Sequence, residues 1–163
     1  IAQALQSFKV AGHRGQQVAE ARGIVAIDNS KATNPHAADS ALAGHDSVIW
    51  VAGGQLKGAE VDDLIARHAH RLKAVALMGV DRNIIRESVE KHAPGVPIFV
   101  TDDTDPQSAM DAVCAWAVTQ ASSGDAIVLA PAAASLDMYT GMGQRGVLFA
   151  ESVSAHLGGV APK

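Results

Sequence analysis

The sequence predicts an α/β protein built on a mostly parallel sheet, and three observations carry that expectation. Ser47 to Ala52, Ala74 to Met78 and Ala126 to Ala130 are short, continuous apolar runs, the pattern of strands covered on both faces. Segments with apolar residues at helical spacing alternate with them, which implies strand–helix–strand units. Each run also empties into a polar or glycine-containing exit before the next helical pattern begins. Right-handed crossovers then stack helices on both sides of the sheet. The expected architecture is a Rossmann-like three-layer sandwich of about six strands, with one antiparallel edge strand or hairpin.

Taken in order, Ile1 to Phe8 has apolar residues at 1, 4, 5 and 8, a helical spacing in a segment too short to be stable alone. We read 1–8 as the tail of a preceding domain or a linker, and 9–163 as the domain itself. Gln17 to Ala21 and Gly23 to Ile27 are extended runs around Arg22-Gly23 and suit a hairpin or edge strand. His36 to Ala43 is an alanine-rich helix stopped by Gly44. After the strand from Ser47 come a helical pattern over Ala59 to Leu72, the strand ending at Met78, and a helix from about Asn83 to His92. Ile98 to Val100 is a strand, Ser108 to Ala121 a helix, Ala126 to Ala130 the last strand, and Gln144 to Leu157 the last helix. Gly158 to Lys163 reads as a frayed end.

Composition narrows the function classes. The 163 residues carry 13 Lys and Arg against 17 Asp and Glu, a formal net charge of −4 without a basic stripe, so nucleic acid is not an expected partner. The single cysteine, Cys114, lies in a helical apolar pattern and reads as core. No run has the length and apolarity of a membrane span and no signal peptide is visible, so we expect a soluble, cytoplasmic chain. The seven histidines show no metal spacing and read mostly as surface residues. Ile1 in first position leads us to expect a piece of something longer.

The chemistry gathers at the strand exits, where open α/β sheets hold ligands. Asp28, Asn29, Ser30, Lys31 and Thr33 leave one strand. Lys57 lies in Gly53-Gly54-Gln55-Leu56-Lys57-Gly58, and Ser135 in Pro131-Ala132-Ala133-Ala134-Ser135-Leu136-Asp137. Two lysines, a threonine and a serine on one rim suit a small carboxylate-bearing ligand. The plainer reading of the first loop is a helix start capped by Ser30 or Thr33, with Pro35 in the first turn. For Asp81, Arg82 and Asp102 solvated loop positions are expected. The chain has no G-x-x-x-x-G-K-[ST], no G-x-G-x-x-G after a strand, and no G-x-S-x-G around Ser135. It looks like half of a site.

Those loops also carry a resemblance. Asn29-Ser30-Lys31-Ala32-Thr33-Asn34 resembles the D-S-K-A-T-N signature of the D-glutamate-adding branch of the Mur ligase family. His13-Arg14 resembles the H-R pair opening that family's third domain, and Gly53 to Gly58 its G-G-x-x-K loop. Pro131 to Asp137, with Gln144-Arg145-Gly146 behind it, resembles its P-A-x-A-S-x-D…R-G close. The match runs from about Phe8 to Leu157. It implies a Rossmann-like C-terminal domain of an amide-bond ligase of peptidoglycan synthesis. That domain closes over a central ATPase domain and presents D-glutamate to an acyl-phosphate made from ATP and UDP-N-acetylmuramoyl-L-alanine. Thr33, Lys57, Ser135 and Leu136, with Met142 where the family often has an aromatic residue, would hold D-glutamate. His13, Arg14, Asp28, Asn29 and Lys31 would contact the nucleotide, Lys31 also supporting catalysis. ATP and Mg2+ would be held mainly by the absent central domain, and this domain alone would be inactive. The sequence departs from the pattern at Asn29 (aspartate in the family, with Asp28 just before it), at Gly12 (proline), at Gln16 or Gln17 (acidic) and at Met142, near which Tyr139 offers a substitute ring. Two rival readings are a free-standing small-anion-binding module and a receiver-like signalling domain using Asp102-Asp103. The latter lacks a late-strand lysine at Ala130-Pro131.

Overall fold

A computed structural model describes residues 15–158. The expectations placed on Ile1 to Phe8, on His13 and Arg14, and on 159–163 lie outside the described residues. The chain alternates as expected: β1 (Gln16–Ala21), β2 (Ile24–Asp28), α1 (Pro35–Ala43), β3 (Val48–Gly53), α2 (Asp62–His68), β4 (Leu72–Met78), α3 (Arg82–His92), β5 (Ile98–Val100), α4 (Pro106–Gln120), β6 (Ala126–Leu129) and α5 (Met142–Leu157). The six strands form one sheet in the order β1-β2-β6-β3-β4-β5. β1 and β2 are antiparallel and every other pair is parallel. Arg22 and Gly23 both have positive φ, 55° and 78°, as a two-residue hairpin turn of type I′ requires.

Successive side chains on a strand face opposite ways, and the core divides accordingly. Trp50, Ala52, Val75 and Leu77 pack under α1, α2 and α3 with Leu42, Ile65 and Ile85. Ile49, Val51, Ala74 and Ala76 pack under α4 and α5 with Met110, Cys114 and Phe149. Cys114 is a core residue, and burial pushes its thiol far above the ordinary range. Trp50, fully buried, satisfies its one donor by giving Nε1–H to Ala130 O at 2.7 Å. Burying a side chain of this size contributes about 2–3 kcal/mol.

Three of the sequence readings are corrected by the structure, for identifiable reasons. The helix expected over Ala59 to Leu72 is only Asp62–His68, because Leu72 is drawn into the sheet as the first residue of β4. Neither Ser30 nor Thr33 caps α1; Asn34 does, its Oδ1 accepting from Ala37 N at 2.9 Å, with Pro35 in the first turn as anticipated. His68 is not a surface residue. It is 2% exposed, with Nε2 2.6 Å from Asp39 Oδ1, and this contact joins α2 to α1. That bond outweighs desolvation and holds the Asp39 carboxyl below its ordinary value.

Strand order positions everything that follows. From β3 the chain moves outward to β4 and β5, then α4 returns it to β6, between β2 and β3. All the parallel strands point the same way, so the exits of β2, β6, β3, β4 and β5 share one rim. The reversal of strand order places a crevice there.

Candidate functional site

The exit of β2 is built around a buried carboxylate. Asp28 is 1% exposed and its Oδ1 accepts from Ser30 N at 2.9 Å, an aspartate turn that bends the chain off the strand. Asn29 N donates to Leu129 O at 2.9 Å, so the loop leaves while still paired to β6. Ala132 N then donates to Ala32 O at 2.9 Å, which ties this loop to the serine loop one residue before Thr33. Lys31 and Thr33 are left half-exposed. Asn29, Lys31, Ala32, Ala37 and Ser40 line a cavity of about 290 Å³ on the α1 side.

The exit of β3 depends on two glycines. A Cβ on Gly53, φ 126°, would sit 1.8 Å from Met78 O, and one on Gly54, φ 141°, would sit 2.2 Å from Ala134 O. Only glycine lets this backbone pass between its two neighbours. Gln55 and Ala134 then exchange a pair of backbone bonds, 2.9 and 2.8 Å, joining the lysine loop to the serine loop. Leu56 O accepts from Ala59 N at 3.0 Å, while Lys57 and Gly58 have φ of 55° and 82°. Positive φ at both central positions is the type I′ pattern. The tip of this tight turn is Lys57, exposed to solvent.

The serine loop completes the rim. Ser135 is 5% exposed and its carbonyl accepts from Tyr139 N at 2.8 Å, whereas the next residue, Leu136, is 65% exposed. Asp137 Oδ2 accepts from Val80 N at 2.9 Å, so the exit of β4 is tied in as well. Met142 opens α5 and is 39% exposed. Tyr139 cannot take the rim position considered for it: it is buried, and its hydroxyl donates to Pro106 O at 3.2 Å under the start of α4. Burial pushes that phenol above its ordinary pKa, despite the nearby Arg145.

The structure therefore brings Thr33, Lys57 and Ser135 onto loops bonded edge to edge, with Leu136 beside them. It sets Asn29 and Lys31 on the α1 side and turns Asp28 inward. Two residues stand out that the sequence reading left without a role or misjudged. Arg145 is 0% exposed and donates from Nη2 to Ser30 O at 3.0 Å and from Nη1 to Gly53 O at 3.5 Å, linking the exits of β2 and β3 from beneath. Burial lowers it to about 10, still protonated at neutral pH. Its place in the Gln144-Arg145-Gly146 motif was the available signal. Asp81 was expected to be solvated; instead its Oδ2 accepts from Leu56 N at 2.7 Å. Arg82 and Asp102 are ion-paired at 2.8 Å near the surface, a contact worth little.

Fold and rim together define an α/β domain whose polar loops gather at the carboxyl ends of its parallel strands. The comparisons with known proteins are more particular. The family described as "Mur ligase, glutamate ligase domain" matches residues 13–133, and the chain belongs to that family. It is 68% identical over 157 residues to the UDP-N-acetylmuramoylalanine–D-glutamate ligase of Corynebacterium diphtheriae, covering 96% of this chain and 33% of that protein. The ligase of the same name from Streptomyces coelicolor is 45% identical over 149 residues, 91% of this chain and 31% of the relative. The chain thus spans about one third of the length of the curated relatives it matches. Among solved structures, the UDP-N-acetylmuramate–alanine ligase of Thermotoga maritima superposes with a TM-score of 0.58 at 14% identity, covering 93% of this chain and 32% of that one. The Mycobacterium tuberculosis folylpolyglutamate synthase does so at 0.52 and 13%, covering 96% and 34%. At such identities these two show the fold.

Proposed function

We propose that this chain is the C-terminal, glutamate-presenting domain of an ATP-dependent ligase that joins D-glutamate to UDP-N-acetylmuramoyl-L-alanine in peptidoglycan synthesis. The observation that carries the reading is the bonding of three strand exits into one rim bearing Thr33, Lys57 and Ser135. The name shared by the relatives supports the substrate. In this reading Lys57 supplies a point charge for one carboxylate of D-glutamate, and Thr33, Ser135 and the Leu136 backbone complete the hydrogen bonds. Met142, at the start of α5, covers the apolar side of the ligand. Asn29 and Lys31 contact the nucleotide, a role that the family resemblance also gives to His13 and Arg14. Asn29 takes the ribose contact rather than Asp28, whose carboxylate is buried in the β2 turn.

The domain's contribution is geometric and electrostatic. It holds the amine against an activated carbonyl and excludes water as it closes. ATP and Mg2+ enter through the part of the enzyme that this chain does not span, so the isolated chain turns over nothing; Lys31 and Asn29 offer an ammonium and an amide that fit a phosphate and a ribose. In this reading residues 1–8 belong to the tail of a preceding central domain or to a linker, 9–163 form the domain, and nucleotide substrates suit a cytoplasmic enzyme.

The test is phosphate release by the natural full-length chain given ATP, Mg2+, UDP-N-acetylmuramoyl-L-alanine and D-glutamate. Release should require D-glutamate and fall about hundredfold or more in Lys57→Ala and in Ser135→Ala. Release indifferent to D-glutamate, or to both substitutions, would leave a small-anion-binding module as the reading.

A further inference from the structure

We propose that Asp81 is a positioning residue for this site, setting Lys57 by way of the Leu56 amide; the inference rests on Lys57 being a D-glutamate contact. Asp81 occupies the N-cap position of α3, where an aspartate ordinarily accepts from its own helix's first amides. Here it makes no such bond. Its Oδ2 is turned across to the neighbouring exit and accepts from Leu56 N at 2.7 Å. Its backbone N–H donates to Gly54 O at 3.0 Å, so Asp81 grips the lysine loop at two points, one on each side of Gln55. What it grips is the base of a strained turn. Leu56 is the first residue of the type I′ turn, and Lys57, a non-glycine residue at φ 55°, is its first central residue. A residue held there persists only while its surroundings define the conformation. With Leu56 N anchored, the turn has one base position, and the ammonium of Lys57 is carried from it. The preceding residue, Val80, meets Asp137 of the serine loop in the same way, through its own N–H at 2.9 Å. The Val80-Asp81 step therefore holds the two loops that face D-glutamate in one register.

The experiment uses the full-length ligase that carries this domain, with Asp81→Ala, Asp81→Asn, Lys57→Ala and the Asp81→Ala/Lys57→Ala double variant. Asp81→Ala should raise KM for D-glutamate about tenfold, with kcat at saturating D-glutamate and KM for ATP changing less than about threefold. Asp81→Asn retains an oxygen that accepts from Leu56 N–H and should recover most of the loss. In the Lys57→Ala background the Asp81→Ala effect should vanish, because one acts through the other. Unchanged KM for D-glutamate in Asp81→Ala would overturn the proposal. So would a parallel fall in kcat and every KM, which is what general loosening of the fold produces, or an Asp81→Asn no better than alanine. If Lys57→Ala itself leaves KM for D-glutamate unchanged, the reading of Lys57 fails first, and the two failures are told apart.

Discussion

The two ends of the same strands solve opposite problems. At the amino ends of β3, β4 and β6, Asp125 accepts from Lys73 Nζ at 2.6 Å, from Ser47 Oγ at 2.7 Å and from Ser122 N at 2.8 Å. Each polar group there meets another, and the cluster is closed. At the carboxyl ends the backbone is bonded just as densely, yet the side chains of Lys31, Thr33 and Lys57 make no hydrogen bond or ion pair among the described residues. Tight backbone beneath unspent donors is the arrangement that recognises a ligand without first rearranging.

The comparison breaks most sharply at the backbone of the open end. Gly53→Ala should cost about 3 kcal/mol or more, read by thermal or urea unfolding of the chain, because the new Cβ would lie 1.8 Å from Met78 O on a backbone at φ 126°. A cost below about 1 kcal/mol would mean that the rim is not rigid. At the closed end, Asp125→Ala should cost about 2 kcal/mol, since it removes the charged acceptor of the Ser122 amide and of the Ser47 and Ser122 hydroxyls, while solvent screens the half-exposed Lys73. On the proposed function, KM for D-glutamate of the full-length protein should not change.

The same carboxylate supplies a pH signature. Burial raises the pKa of Asp125, but the bonds from Lys73, Ser122 and Ser47 outweigh it and the net shift is downward. A lowered folded-state pKa contributes stability that is present above the unfolded value of about 4 and lost as pH falls through the folded one. Asp125→Asn should therefore flatten the stability profile below about pH 4 and leave the neutral range parallel to that of the parent. The smallest effect should come from Lys57→Gly. Glycine relieves the positive φ and should gain about 0.5 kcal/mol of stability, while on the proposed function the full-length protein should lose D-glutamate-dependent turnover. Opposite signs in those two measurements would separate a residue kept for binding from one kept for folding.

Much of this was legible in the residues. The apolar runs at Val48, Ala74 and Ala126 and the spacing of the helices determined a parallel α/β sheet, because burial on both faces demands uninterrupted apolar side chains. Arg22-Gly23 announced the hairpin, and the polar exits announced the rim where the loops gather. The helix over Ala59 to Leu72 was overextended because periodicity along the chain does not reveal that a neighbouring strand claims Leu72. Asp28, Asp81 and Asp137 look alike in sequence, as acidic residues in polar loops, and so were read by motif or as solvated. Only the packing decided that Asp81 crosses to Leu56 and Asp137 reaches Val80, whereas Asp28 meets Ser30 two residues on, in a local turn. The same holds for Arg145 under the rim and His68 between α1 and α2, both far along the chain from a partner they meet. Local sequence determines which residues leave a strand, because propensity and hydrophobic period act over a few residues. Which amide a given carboxylate meets is a contact across the fold, and the strand order β2-β6-β3-β4 had to exist before it could be made.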